Sequence, residues 1–269
     1  MELIHRYRCH AFFVYLECGA HLSQLIKREC MMRSKYELDS NMRRRLEQKK
    51  RERKRRMFRR GLAFSGLMLF LGIGFLYKFN IIPHRYYYNS HFGIRTYHSS
   101  IDKDADGVDD QTDILNGVRA YIKTEPKYKS AYYVTGYPND EYGVCTDVVA
   151  NGMRAAGYDL MTLVNADILA HPQDYDITEP DICIDFRRVR NLYVYFQHTA
   201  IPLSTDIKDI EEWQGGDIII FKNHIGIVSD KRNENGVPFV IHHGSPTQIG
   251  YEQDILEGRD DIIGHFRVS

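Results

Sequence analysis

The chain has 269 residues, with 36 Lys+Arg against 36 Asp+Glu and a hydrophobic share of 43%. This globular composition excludes a wholly disordered or low-complexity chain, and five cysteines exclude a disulfide-dense scaffold. The zero net charge joins two unlike parts: residues 1–60 hold 18 Lys+Arg and 7 Asp+Glu, whereas residues 61–269 hold 18 and 29.

Residues 1–41 carry Cys9, Cys18 and Cys30 and show no clear periodicity. Met31, Met32 and Met42 stand just before a basic block, and the native chain is expected to start at one of them. N-terminal sequencing that returned Glu2 or Leu3 would contradict this. The block, residues 43–60 (RRRLEQKKRERKRRMFRR), runs into residues 61–77 (GLAFSGLMLFLGIGFLY), 17 residues without a charge. As a helix this stretch spans about 25 Å, against a bilayer core of about 30 Å. Lys78 snorkels, Phe79, Ile81 and Ile82 extend the span, and Pro83 stops it. A buried core helix has no need of such a basic flank, and no small-x-small cleavage site follows. The reading is an uncleaved single-pass anchor over residues 61–82, held in the lipid bilayer of the plasma membrane. The basic tail 1–60 is then cytoplasmic and the C-terminal domain extracytoplasmic. Because the basic run abuts the apolar segment, its expected partner is anionic lipid and not nucleic acid.

Residues 83–100, rich in Tyr and His, read as a stalk. A calcium-like loop follows over 101–113. Asp102, Asp104, Asp106, Asp110 and Asp113 fall at positions 1, 3, 5, 9 and 12 of a twelve-residue loop, with Gly107 at 6 and the Val108 carbonyl at 7. Hard Ca²⁺ wants six to eight oxygens, and the glycine permits the turn that converges them. Asp113 replaces the usual Glu, and the preceding HFGIRTYHSS is not a helix, so the loop resembles the isolated calcium loops of extracellular bacterial modules. Calcium would be structural here, tying stalk to domain. The plainer reading is a solvated acidic turn capping a helix over 114–123.

Cys145 lies in Tyr142-Gly143-Val144-Cys145-Thr146-Asp147-Val148-Val149. Val148, Val149, Met153 and Ala156 form a helical stripe that Gly157 ends, and Gly143 breaks the chain before it. Cys145 therefore opens a helix, whose partial positive charge favours a thiolate. A buried cysteine acting as a small hydrophobe is the commoner case. Further helices are expected over 159–170 and 190–198. Two apolar strands flank Lys222-Asn223, a hairpin turn falls at 231–236, and residues 238–244 form the next strand. His224 begins one strand and His242 ends its antiparallel neighbour, so a hairpin brings both imidazoles to one sheet edge. Cys145 as nucleophile, His224 as base and His242 orienting the base through its second nitrogen make a catalytic arrangement. A Cys145–Cys183 disulfide and a zinc site on Cys145, His224 and His242 are the weaker alternatives. His171, His198 and His265 read as surface or core residues. Arg187-Arg188 beside Asp185 reads as an internal ion pair in preference to a clamp for a substrate carboxylate.

These motifs resemble the NlpC and CHAP groups of papain-like cysteine peptidases, which cleave bacterial cell-wall peptides. They resemble still more closely a bacterial domain of unknown function, family 1287. The resemblance rests on Gly143-Val144-Cys145-Thr146-Asp147-Val148-Val149, Ile184-Asp185-Phe186-Arg187-Arg188-Val189-Arg190-Asn191-Leu192, Gly216-Asp217-Ile218-Ile219, His224-Ile225-Gly226-Ile227-Val228-Ser229-Asp230 and Gly264-His265-Phe266-Arg267, and covers residues 110–269. It implies the nucleophile, base and third-polar roles for Cys145, His224 and His242. The chain departs from the family pattern at Phe186, where His is usual, and at His243, where Asn often follows the third-site His. The second departure leaves His243 as a rival third residue, with His242 favoured by the NlpC spacing.

The expected fold is α+β: a papain-like antiparallel sheet from about residue 217 onward, with the Cys145 helix packed on it and a transmembrane helix before it. The expected function is a membrane-anchored extracytoplasmic cysteine hydrolase, an amidase or peptidase acting on peptidoglycan peptides, with no organic cofactor. The alternative is a catalytically silent, calcium-dependent wall-binding or scaffolding module. Acyl transfer by the same Cys–His pair is a third.

Overall fold

A computed structural model describes the backbone of residues 2–79 and 81–268, and the side chains from Ser23 on, apart from Gln24 and Asn80. Cys9 and Cys18 lie outside the described side chains, and Asn80 outside the described anchor residues. The chain divides into two compact units, Met1–Ile73 and Gly74–Ser269.

Residues 2–73 of the first unit are helical, part of α1 (Glu2–Lys78). Residues 2–41 continue this helix despite their lack of periodicity. Its Leu25–Lys78 stretch is long and apolar enough to cross a membrane, and none of the apolar window is buried in the protein. A helix apolar all round satisfies its backbone internally and needs lipid or protein around its side chains.

The second unit is α+β. Its elements are α2 (Asp110–Ile122), β1 (Lys127–Tyr128), β2 (Tyr142–Gly143), α3 (Cys145–Ala155), α4 (Leu160–Ala170), α5 (Ile182–Asp185), α6 (Val189–Thr199), β3 (Ile201–Pro202), β4 (Ile218–Phe221), β5 (His224–Arg232), β6 (Pro238–Ile241), β7 (Glu252–Gln253) and β8 (Ile262–Arg267). Six strands form an antiparallel sheet in the order β3-β8-β4-β5-β6-β7, while β1 and β2 pair in parallel. Alternation along β4 sends Ile218 and Ile220 into one core and Ile219 and Phe221 into another. The first core is shared with Val148, Val149 and Met153 of α3, and the second gathers round Trp213. Both faces of the central strands are covered, hence the near-continuous apolar run Ile218-Ile219-Ile220-Phe221.

Helices α2 and α3 approach closely at two glycines. A Cβ on Gly117 would meet the Ala155 Cβ at 2.2 Å, and one on Gly152 would meet Val118 Cγ2 at 2.4 Å. This contact fixes α3, and with it Cys145. Helix α2 starts at Asp110, four residues before the expected 114, because Asp109 caps it by accepting from the Thr112 N–H.

The expected stalk is not free. Tyr87 exchanges backbone hydrogen bonds with Arg232, both 2.8 Å. Asn89 is buried; its amide donates to Gln214 Oε1 at 2.9 Å, and its Oδ1 accepts from Arg232 Nε at 2.5 Å. Residues 84–100 thus belong to the domain. A buried guanidinium requires acceptors, and Arg232 finds them on this segment and on the carbonyls of Trp213, Ile210 and Gly236.

Candidate functional site

The hairpin arithmetic holds in the structure. Strand β4 pairs with β5 through Phe221↔His224 around the two-residue turn, and β5 pairs with β6 through Ile227↔Ile241. One step beyond that pair, Gly226 comes opposite His242. A Cβ on Gly226 would lie 2.8 Å from the Ile241 carbonyl and 3.2 Å from the His242 Cβ, so glycine makes room there. The two imidazoles then meet: His224 Nε2 and His242 Nδ1 are 2.9 Å apart. The other His242 nitrogen, Nε2, is 3.0 Å from Gln253 Oε1. With that amide oxygen facing it, neutral His242 carries its proton on Nε2 and accepts at Nδ1. His224 must then donate from Nε2, which leaves its Nδ1 as the free lone pair.

Gln253 was not anticipated. It sits in a two-residue strand, too short for any alternation to flag it. Its neighbour Glu252 is held by Arg119 at 2.8 Å, Lys231 at 2.5 Å and the Ser229 hydroxyl. Burial would raise the Glu252 carboxyl, but these three donors keep it below its ordinary range. That anchor fixes β7 and the end of the His224–His242–Gln253 chain.

Cys145 is the first residue of α3, as expected. Asp147 Oδ2 accepts from the Val144 N–H at 2.8 Å and so caps the helix start. Arg187 neutralises this buried carboxylate, with Nε–Oδ1 at 2.7 Å and Nη2–Oδ2 at 2.9 Å. The pair is internal, as expected of Arg187, but its partner is Asp147 and not the neighbouring Asp185, which takes Arg188 at 3.7 Å. Phe186 is buried against Tyr137, at 4.8 Å between ring centroids.

The thiol is not depressed as the helix terminus suggests. Burial pushes it up to about 11, outweighing the backbone N–H groups of Ile225, Thr146 and Cys145 itself, which favour the thiolate. Cys145 packs against the core cluster that includes Ile225, the residue next to His224. Among the described residues no hydrogen bond joins Cys145 to His224. Burial, then the charge of Arg259, lowers His224 to about 4. Burial, then His224, lowers His242 to about 3. At neutral pH Cys145 is therefore a thiol and both imidazoles are uncharged. Cys145 and Cys183 are both free.

His243 takes no part in the chain. It is buried between Tyr128 and Tyr251, with Nδ1 lacking a hydrogen-bond partner. His265 is buried, stacked on Trp213 and 3.1 Å from Asp217, which Arg267 grips at 2.7 Å from both nitrogens. His171 and His198 hydrogen-bond Asp167 at 3.1 and 2.7 Å.

In the acidic loop, Asp102, Asp104 and Asp106 converge, each offering an oxygen within 4.8 Å of the others. Asp113 is buried near them. Asp110 departs from the expected ligand set. Its Oδ1 accepts from the Lys103 N–H at 2.8 Å and its Oδ2 from the Tyr158 hydroxyl at 2.5 Å.

A family model described as a domain of unknown function (DUF1287) matches residues 115–268. The chain is also 35% identical over 168 residues to an uncharacterized protein, YijF, of Escherichia coli (strain K12), covering 57% of this chain and 80% of that protein. No solved structure matches it. The chain belongs to the DUF1287 family.

Proposed function

We propose that this member of the DUF1287 family is a membrane-anchored cysteine hydrolase with a papain-like arrangement of the NlpC/CHAP type, acting outside the plasma membrane on amide bonds of peptidoglycan peptides. The observation that carries the reading is the hydrogen-bonded chain His224–His242–Gln253, on the sheet whose core Cys145 packs against. A binding module has no use for an aligned imidazole chain on the sheet that the Cys145 helix covers. The basic flank before the apolar helix supports the outward orientation, and that orientation supports the wall substrate.

The resting pair is neutral, so proton transfer accompanies attack. His224 Nδ1 takes the Sγ–H proton as sulfur bonds to the carbonyl carbon, and backbone N–H groups at the start of α3 stabilise the oxyanion. His242 and Gln253 hold the ring while it is charged. The C–N bond then breaks, and the imidazolium gives its proton to the leaving amine. Water, deprotonated by His224, cleaves the thioester to release the acid and restore the thiol. Closure of His224 onto Cys145 is expected on substrate binding, since catalytic hydrogen bonds tighten in the complex.

The test uses the full chain in detergent with defined stem-peptide fragments, reading products by mass spectrometry. A new amine and a new carboxylate are expected, lost in Cys145→Ala and in His224→Ala. Tight binding of the fragments without turnover would favour the silent wall-binding module. Turnover unchanged in Cys145→Ala would overturn the reading.

A further inference from the structure

The helical lobe carries a second proposal, independent of the thiol chemistry. Asp167, His171 and His198 each offer one ligand atom within 4.8 Å of those of the other two. Asp167 lies in the last turn of α4, and His171, four residues on, caps that helix. An i, i+4 spacing puts both on one helix face, and helices aim pairs of metal ligands in this way. His198 comes from the last turn of α6. The contacts converge on the carboxylate: His171 Nδ1 is 3.1 Å from Asp167 Oδ1, and His198 Nδ1 is 2.7 Å from Oδ2. The Tyr175 hydroxyl donates to Oδ2 as well. The Asp167 side chain is 10% exposed, while both histidines reach solvent.

Two features go beyond a hydrogen-bonded trio. The second nitrogen of His198, Nε2, faces Asp174 Oδ2 at 3.5 Å, from the short helical turn Pro172–Asp174. A metal-ligating imidazole commonly donates its other N–H to a carboxylate in this way, which fixes the tautomer and the ring. The carbonyl ends of two helices also meet at the cluster, and α4 has no basic residue in its last turn. Their partial negative charges favour a cation there. We infer that Asp167, His171 and His198 bind one divalent ion of the zinc class, with water at the fourth position. Two imidazole nitrogens and one carboxylate oxygen suit Zn²⁺, whereas Ca²⁺ and Mg²⁺ take oxygen ligands. Ligand bonds of about 2.0–2.1 Å put tetrahedral neighbours about 3.3 Å apart. The Asp–His contacts therefore open by a few tenths of an ångström when the ion replaces the two Nδ1 protons. Tyr175 and Asp174 are positioning residues. The ion clamps the end of α4 to the end of α6.

The test is calorimetric titration of Zn²⁺ into the full chain in detergent, stripped with EDTA and freed of the chelator. Wild type is expected to take up one equivalent more than His171→Gln or His198→Gln. Both variants should keep the Tm of the metal-free wild type, since both side chains reach solvent. Asp174→Asn, at an exposed position, should keep the stoichiometry and weaken the affinity about tenfold or more, which a carboxylate with a merely structural role would not do. Co²⁺ in place of Zn²⁺ should give tetrahedral visible absorption without a thiolate charge-transfer band, unchanged in Cys145→Ala. Equal uptake by wild type and both histidine variants overturns the site. So does a cobalt spectrum that Cys145→Ala abolishes, which would place the ion on the thiol.

Discussion

Cys145, His224 and His242 owe their chemistry to burial. A thiol raised to about 11 and imidazoles lowered to about 4 and 3 are all uncharged at neutral pH. Iodoacetamide alkylation, followed on the peptide carrying Cys145, should therefore rise with a midpoint well above the ordinary thiol value of about 8.5. A midpoint at or below 8.5 would contradict the buried neutral thiol. The imidazoles affect stability with a definite sign. Their folded values lie below the unfolded value of 6.5, so stability present above pH 6.5 is lost as the pH falls through about 4. For His224 alone the effect is about 3 kcal/mol. Thermal melts of His224→Gln should show a shallower loss between pH 6.5 and 4 than wild type; identical profiles would refute the assignment. The two histidines were legible in the sequence because each sits at a strand end in a hairpin whose register follows from its turn. Gln253 was not, because β7 has two residues and no pattern. The thiol's direction was misread because helix-terminus charge is visible in a sequence and burial is not.

At the scale of elements, polar side chains of the motifs that carry the family resemblance are met by residues of distant segments. Asp147, in the Cys145 motif, is neutralised by Arg187 from the segment before α6. Asp217 in the Gly-Asp motif is held by His265 and Arg267 of β8. Ser229 and Asp230 of β5 meet Arg119 of α2. These are contacts between distant segments, so no local pattern could announce the partners. Arg187→Leu should be severely destabilising, by about 3–5 kcal/mol, because it leaves Asp147 buried and unpaired at the start of α3. Urea unfolding measures this; a loss under 1 kcal/mol would mean that Asp147 is neutral or solvated. Helix α3 follows from its apolar stripe, and α4 and α6 lie within two residues of the helical lobe that the resemblance implies. The segment 84–100 was misjudged as a stalk because its Tyr, His and Asn side chains look like a solvated surface until Arg232 is found beneath them.

For the whole molecule, charge asymmetry marks off the basic residues 1–60, the uncharged run 61–77 marks the apolar helix, and the α+β class comes from the Cys145 and His224 motifs and the family they resemble. The orientation that the basic flank predicts is open to a direct check. Protease added to intact spheroplasts should digest the C-terminal domain and leave a membrane-protected fragment bearing the basic block; protection of the domain would reverse the topology. The central claim is that Cys145 forms a covalent acyl intermediate. Its most direct test is acid quenching of the full chain during incubation with stem-peptide fragments, followed by mass analysis of the Cys145 peptide. The account predicts a hydroxylamine-labile acyl thioester on Cys145, absent when Cys145 is Ser or Ala. Fragment cleavage with no adduct on Cys145, persisting in Cys145→Ala, would contradict it.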